Sequence, residues 1–178
     1  QLDALRPTDA SSLSRWRETI GGGVEVLLGR GLPEAYAVRP AIEPERDGIQ
    51  RGTLHVDAHG EQVAFAIVSP PRASHQVAVW TGSGGIAQAL PDGRPIAPVQ
   101  QLTRAGYRVM AIDVFGQGAD AITGNRLVAN RNSAAFTFGY NHPLVLKRAH
   151  DVSAALRYAR TLAGDSGRVA LVAADGSA

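Results

Sequence analysis

The spacing of apolar positions changes twice along the chain. Between residues 9 and 29, Leu13, Trp16, Ile20, Val24 and Leu27 recur every three or four residues, the period of one helical face. Asp9 or Ser11 is placed to cap that helix. The triplet Gly21-Gly22-Gly23 weakens it by roughly 1 kcal/mol per glycine relative to alanine, which predicts two pieces. A polar, proline-rich stretch from 32 to 47 reads as a connector, so residues 1–49 form an N-terminal helical segment and its link. From Gln50 the period falls to two. Residues 53–57 and 62–68 flank His59-Gly60, so a strand–turn–strand hairpin is expected, ended by Pro70-Pro71.

Beyond the hairpin the pattern stops alternating. Residues 77–80, 108–113 and 168–173 are short, almost continuous apolar runs, the mark of strands covered on both faces. Helical patterns at 96–105 and 143–162 separate them. In the second, Val145, Ala149, Val152, Leu156 and Ala159 share a face, Pro143 suits the first helical position, and Gly164 follows the end. The expected class is α/β, with an N-terminal helix and an antiparallel hairpin leading into a mostly parallel sheet, and residues 50–178 forming one domain.

Composition narrows the partners. A chain of 178 residues is about one domain long, and 44% apolar with 19% charged residues describes a chain able to bury a core. Eighteen basic residues against sixteen acidic leave +2, scattered without a stripe, so nucleic acid is not an expected partner. Without cysteine there is no disulfide, thiol nucleophile or thiolate zinc site, and the five histidines lack zinc-like spacing; no metal and no cofactor are expected. No apolar run approaches the ~18–20 residues of a membrane span, and no basic amphipathic helix suits a membrane surface. Gln1 in place of Met leaves two compartments open, export after loss of a signal or the cytoplasm.

Parallel sheets gather chemistry at the carboxyl ends of their strands, and three such ends are legible. Trp80-Thr81-Gly82-Ser83-Gly84-Gly85 can turn backbone N–H groups towards a ligand, with the bland alternative of a tight turn. In Asp113-Val114-Phe115-Gly116-Gln117-Gly118, Asp113 suits a structural anchor for its loop better than a catalytic group. In Ala173-Ala174-Asp175-Gly176-Ser177, small residues two before and two after Asp175 satisfy the steric demand of a nucleophile elbow. Ser177 as nucleophile would instead put Asp175 where a small residue is required.

In this order the motifs resemble the α/β-hydrolase family over roughly residues 50–178: opening hairpin, third strand with its oxyanion loop, fourth strand with Asp113-x-x-Gly116-x-Gly118, then the helix and strand that deliver the elbow. Phe138-Gly139-Tyr140-Asn141-His142-Pro143 and Arg148-Ala149-His150-Asp151-Val152 look like the acetyl-xylan-esterase-like branch. The resemblance implies a three-layer sandwich, incomplete here. It also implies an esterase-type activity on a small-molecule or carbohydrate ester, Asp175 at the nucleophile position, and oxyanion donors on the backbone of Gly82, Ser83 and Gly176. It departs from the family pattern at Thr81-Gly82, where many members carry His-Gly, and at Asp175, where they carry Ser. The triad acid and histidine should follow the elbow, so completion by further polypeptide or a partner chain is expected. His55, His59, His75, His142 and His150 suit surface or hydrogen-bonding roles. An aspartate would form an ester by displacement on carbon, or mark lost catalysis.

Two other readings stand beside it. Gly82-x-Gly84-x-x-Ala87 after a strand fits a dinucleotide fingerprint, with Asp113 as ribose ligand, although Asp113 comes late and Pro91, Asp92, Gly93 and Pro95 interrupt the helix that should hold the pyrophosphate. The third is a non-catalytic binding or interaction module on a hydrolase scaffold, its last strand left as an edge in need of a partner.

Overall fold

Side chains alternate between the two faces of a six-stranded sheet, and each face carries its own helices and its own core. The computed structural model describes residues 6–31, 33–34, 37–118 and 143–175, in two units, Gln1–Leu32 and Pro33–Ala178. The sheet belongs to the second unit. Its strands are β1 (Arg39–Ile42), β2 (Ile49–Val56), β3 (Glu61–Val68), β4 (Gln76–Thr81), β5 (Tyr107–Asp113) and β6 (Arg168–Ala173), in the order β1-β2-β3-β5-β4-β6.

In the first unit, Asp9 accepts a hydrogen bond from the Ser12 N–H at 2.7 Å while Ser12 Oγ accepts from the Asp9 N–H at 3.0 Å. This reciprocal cap opens α1 (Ala10–Trp16). The glycine triplet does not divide the helix. One π-helical turn, Arg17–Gly21, joins α1 to α2 (Gly22–Leu28), and Gly22 keeps helical angles of −59° and −40°. Glycine's penalty in a helix is entropic, not steric, so the backbone tolerates all three. No described residue of this helix is buried, and Val26 and Leu27 are 82% and 71% exposed.

The hairpin forms as its period predicts. β2 and β3 pair antiparallel from Ile49↔Val68 to Val56↔Glu61, with a 3-10 turn at Asp57–His59 closed by Gly60 at φ 63°. The connector is less idle than its composition suggests. β1 lies inside it and pairs antiparallel with β2, so the sheet begins before residue 50. The sheet is also mixed instead of mostly parallel. β3 pairs antiparallel with β5, and only β4–β5 and β4–β6 are parallel.

β4 sits in the middle of the parallel part, which explains its continuous apolar sequence. Val77 and Val79 join the core on one face, with Met110 and Ile112 of β5 and Phe65 and Ile67 of β3. That face is covered by α5 (Leu144–Ala163) through Ala154, Ala155, Tyr158, Ala159 and Ala163. Ala78 and Trp80 join the other core, with Ala66, Val109 and Ala111, beneath α3 (Gly85–Ala89) and α4 (Ala97–Arg104). Burying each large aliphatic side chain stabilises the fold by roughly 1.5–3 kcal/mol. Pro143 stands one residue before the first helical position expected for it. Its extended ψ of 148° starts α5, and its carbonyl accepts the first intrahelical bonds, from Leu146 and Lys147 at 2.9 and 3.2 Å.

Candidate functional site

Parallel pairing from Gln76↔Tyr107 to Trp80↔Ala111, and from Gln76↔Arg168 to Thr81↔Ala173, brings the carboxyl ends of β5, β4 and β6 side by side. The chain reverses its winding here: β5 lies on one side of β4 and β6 on the other. Crevices at such reversals are where open α/β sheets bind ligands. One further bond, from the Ala174 N–H to the Thr81 carbonyl at 2.8 Å, carries the β4–β6 ladder past its last residue pair.

Asp175 follows at once, exposed and left-handed at φ 58°. Aspartate tolerates this region better than most residues, yet a non-glycine residue held there at a strand end fits the sharp turn of an elbow. Its carboxylate reaches back to the loop after β4. Ser83 Oγ donates to Asp175 Oδ2 at 2.8 Å, and Gln88 Nε2 donates to the same oxygen. These side-chain bonds, Ser83 first and Gln88 second, hold the Asp175 carboxyl below the usual aspartate range, and the Ser83 backbone N–H adds to the effect. Gly82 and Ser83, the candidate oxyanion positions, therefore lie beside Asp175. Gly176 and Ser177 lie outside the described residues, as does His142.

Asp113 faces elsewhere. Its Oδ1 accepts the Ile86 N–H at 2.7 Å, so it anchors the start of α3 across the gap between strands. Gly85 and Gly118 close around this carboxylate. A Cβ on either would overlap it, and both have positive φ, 58° and 64°. The dinucleotide alternative asks the same amides to meet a pyrophosphate. Here the Ile86 N–H serves Asp113, the Gly84 N–H serves Gln88 Oε1 at 3.2 Å, and the Gly85 N–H serves the Gly82 carbonyl at 3.1 Å. The helix that follows has five residues, ended before Pro91.

A cavity of about 780 Å³ opens at this rim. Thr81, Ser83, Gln117, Arg148, Ser153 and Asp175 supply its polar side chains, and Val114, Val145 and Leu171 part of its apolar wall. No described histidine lines it. His150 is buried on α5, with Nδ1 3.6 Å from Glu61 Oε1, and His75 Nδ1 lies 3.3 Å from the Ala163 carbonyl. The neighbour of His150, Asp151, accepts the Phe115 N–H at 2.7 Å and so ties the loop after β5 to α5. His55 and His59 belong to the hairpin, whose turn lies at the same end of the sheet as the carboxyl end of β5, and neither lines the cavity.

Two residues of the site are not among those the sequence singles out. Gln88 bridges Gly84 and Asp175, and Gln117 donates to the carbonyls of Gly82 and Ser83. The only sequence signal for Gln117 is its place between two glycines at a strand end. Among the described residues no cluster of metal-binding side chains occurs, and no helix is long and apolar enough to cross a membrane. No protein-family model, curated protein or solved structure matches the chain.

Proposed function

We propose that this chain carries the nucleophile-bearing half of an α/β-hydrolase-type site for a small ester, with Asp175 in the nucleophile's position. The observation that carries the reading is the left-handed Asp175 at the end of β6, its carboxylate within hydrogen-bond reach of the Ser83 loop at the end of β4. In a nucleophile elbow the reactive group stands on a strained turn above the sheet, and an amide of the loop after the third strand helps to stabilise the oxyanion. The hairpin, β4 flanked by β5 and β6, and the order of the parallel strands support that reading.

An aspartate changes the chemistry. Its oxygen attacks a saturated carbon, the bond from that carbon to the leaving group breaks, and an ester to Asp175 remains until water cleaves it at the aspartate carbonyl and restores the carboxylate. That water needs a base, and no described histidine stands at the cavity. The engagement of Oδ2 by Ser83 and Gln88 favours a second reading: a binding scaffold that holds its ligand without turning it over.

Hydrolysis of p-nitrophenyl acetate, an acyl-transfer substrate with no saturated carbon on which the native aspartate could displace a leaving group, is compared between Asp175→Ser and Asp175→Ala, with the native chain as baseline. The hydrolase reading expects Asp175→Ser to exceed Asp175→Ala by about tenfold or more, because the serine hydroxyl supplies an acyl-transfer nucleophile that alanine lacks while the backbone donors are common to both. Equal rates for all three would leave the binding scaffold.

A further inference from the structure

Two side-chain amides grip the loop after β4 from opposite sides. Gln117 Nε2 donates to the Gly82 carbonyl at 2.8 Å and to the Ser83 carbonyl at 3.0 Å, while its Oε1 accepts the Val114 N–H at 3.2 Å. Both amide protons and the oxygen are thus engaged with backbone. Across the loop, Gln88 Oε1 accepts the Gly84 N–H and Gln88 Nε2 donates to Asp175.

A peptide group is planar and trans, so its N–H points away from its own C=O. The Gly82 carbonyl and the Ser83 N–H belong to one such group; the Ser83 carbonyl and the Gly84 N–H belong to the next. Holding the two oxygens from the Gln117 side aims the two N–H groups at the Gln88 and Asp175 side. Glycines at 82, 84 and 85 give this loop soft torsions; the Gly85 N–H also holds the Gly82 carbonyl, at 3.1 Å, and Gln117 adds a bond to that oxygen and one to the Ser83 carbonyl.

We propose that Gln117 is a positioning residue: by fixing the Gly82 and Ser83 carbonyls, it presets the Ser83 N–H towards the centre occupied by Asp175. Its relevance to an oxyanion rests on the hydrolase reading, whereas the clamp itself does not. Preset donors stabilise developing charge because they need no reorganisation when it appears.

The test compares native protein with Gln117→Met, which keeps the length but loses both donors, and with Gln117→Ala. Asp175 is titrated by carboxyl-carbon NMR, and hydrogen exchange is followed at the Ser83 and Gly84 amides. Thermal unfolding verifies that each variant is folded, and Gln117→Met keeps the test open if Gln117→Ala is not. The expected result is an Asp175 carboxyl that titrates nearer its ordinary range, with exchange at both amides about tenfold faster. Where ester turnover is measurable, kcat should fall about tenfold with KM little changed. An unaltered Asp175 titration with unaltered exchange in folded Gln117→Met would overturn the proposal. If both move while no form hydrolyses ester, the clamp stands and the hydrolase reading fails.

Discussion

β4 and β6 are each six residues long, nearly as apolar as one another, and aligned from Gln76↔Arg168 to Thr81↔Ala173. Their surroundings differ. From Val77 to Thr81 every residue of β4 is buried, whereas none of β6 is fully buried and Leu171 is 49% exposed. The row Met110–Val79–Leu171 makes the contrast concrete, because the register sets Val79 between the other two. Met110 and Val79 are fully buried under α5 and Leu171 is not. Apolar sequence therefore gives each strand the capacity for burial, and position in the sheet decides how much of it is used.

Substitutions along that row test the contrast directly. Met110→Ala should cost about 2–5 kcal/mol in urea unfolding, the range for truncating a buried side chain of that size. A cost below 1 kcal/mol would break the claim that β5 lies in a close-packed interior. At the rim, Gly85→Ala combines a left-handed backbone with overlap of the Asp113 carboxylate, and should cost about 2 kcal/mol in the same assay. Leu171→Ala is expected to change stability by no more than about 0.5 kcal/mol, as half-exposed positions do. A cost matching that of Met110→Ala would mean that the β6 edge is covered in solution.

The elements legible in the sequence are those with local periods. The three unbroken apolar runs, the amphipathic α5 and the second hairpin strand appear within a residue of their expected bounds, whereas β2 begins at Ile49, four residues before the expected 53. β1 was not legible because Arg39-Pro40-Ala41-Ile42 is short, contains proline and owes its place to pairing with β2. The antiparallel join of β3 to β5 is a contact between distant segments and leaves no periodic trace. The same division runs through the site. Small residues around Asp175 and glycines after Trp80 mark it in the sequence. Gln88 and Gln117 do not announce themselves, because a side-chain amide, on the short helix α3 or in the loop after β5, gains its role only from the carbonyls and carboxylates that folding brings to it.

The bond from the Ala174 N–H to the Thr81 carbonyl makes β4 a ruler for the turn that follows β6. Each residue of a parallel strand advances about 3.3 Å and exchanges one face for the other. Inserting a single residue between Arg168 and Ala174 would carry Asp175 one such step from Ser83 and swing its carboxylate to the opposite side of the sheet. Segment length, as much as side-chain identity, is thus under constraint in these last few positions, and a natural variant with an insertion there would have to recover the spacing with a bulge.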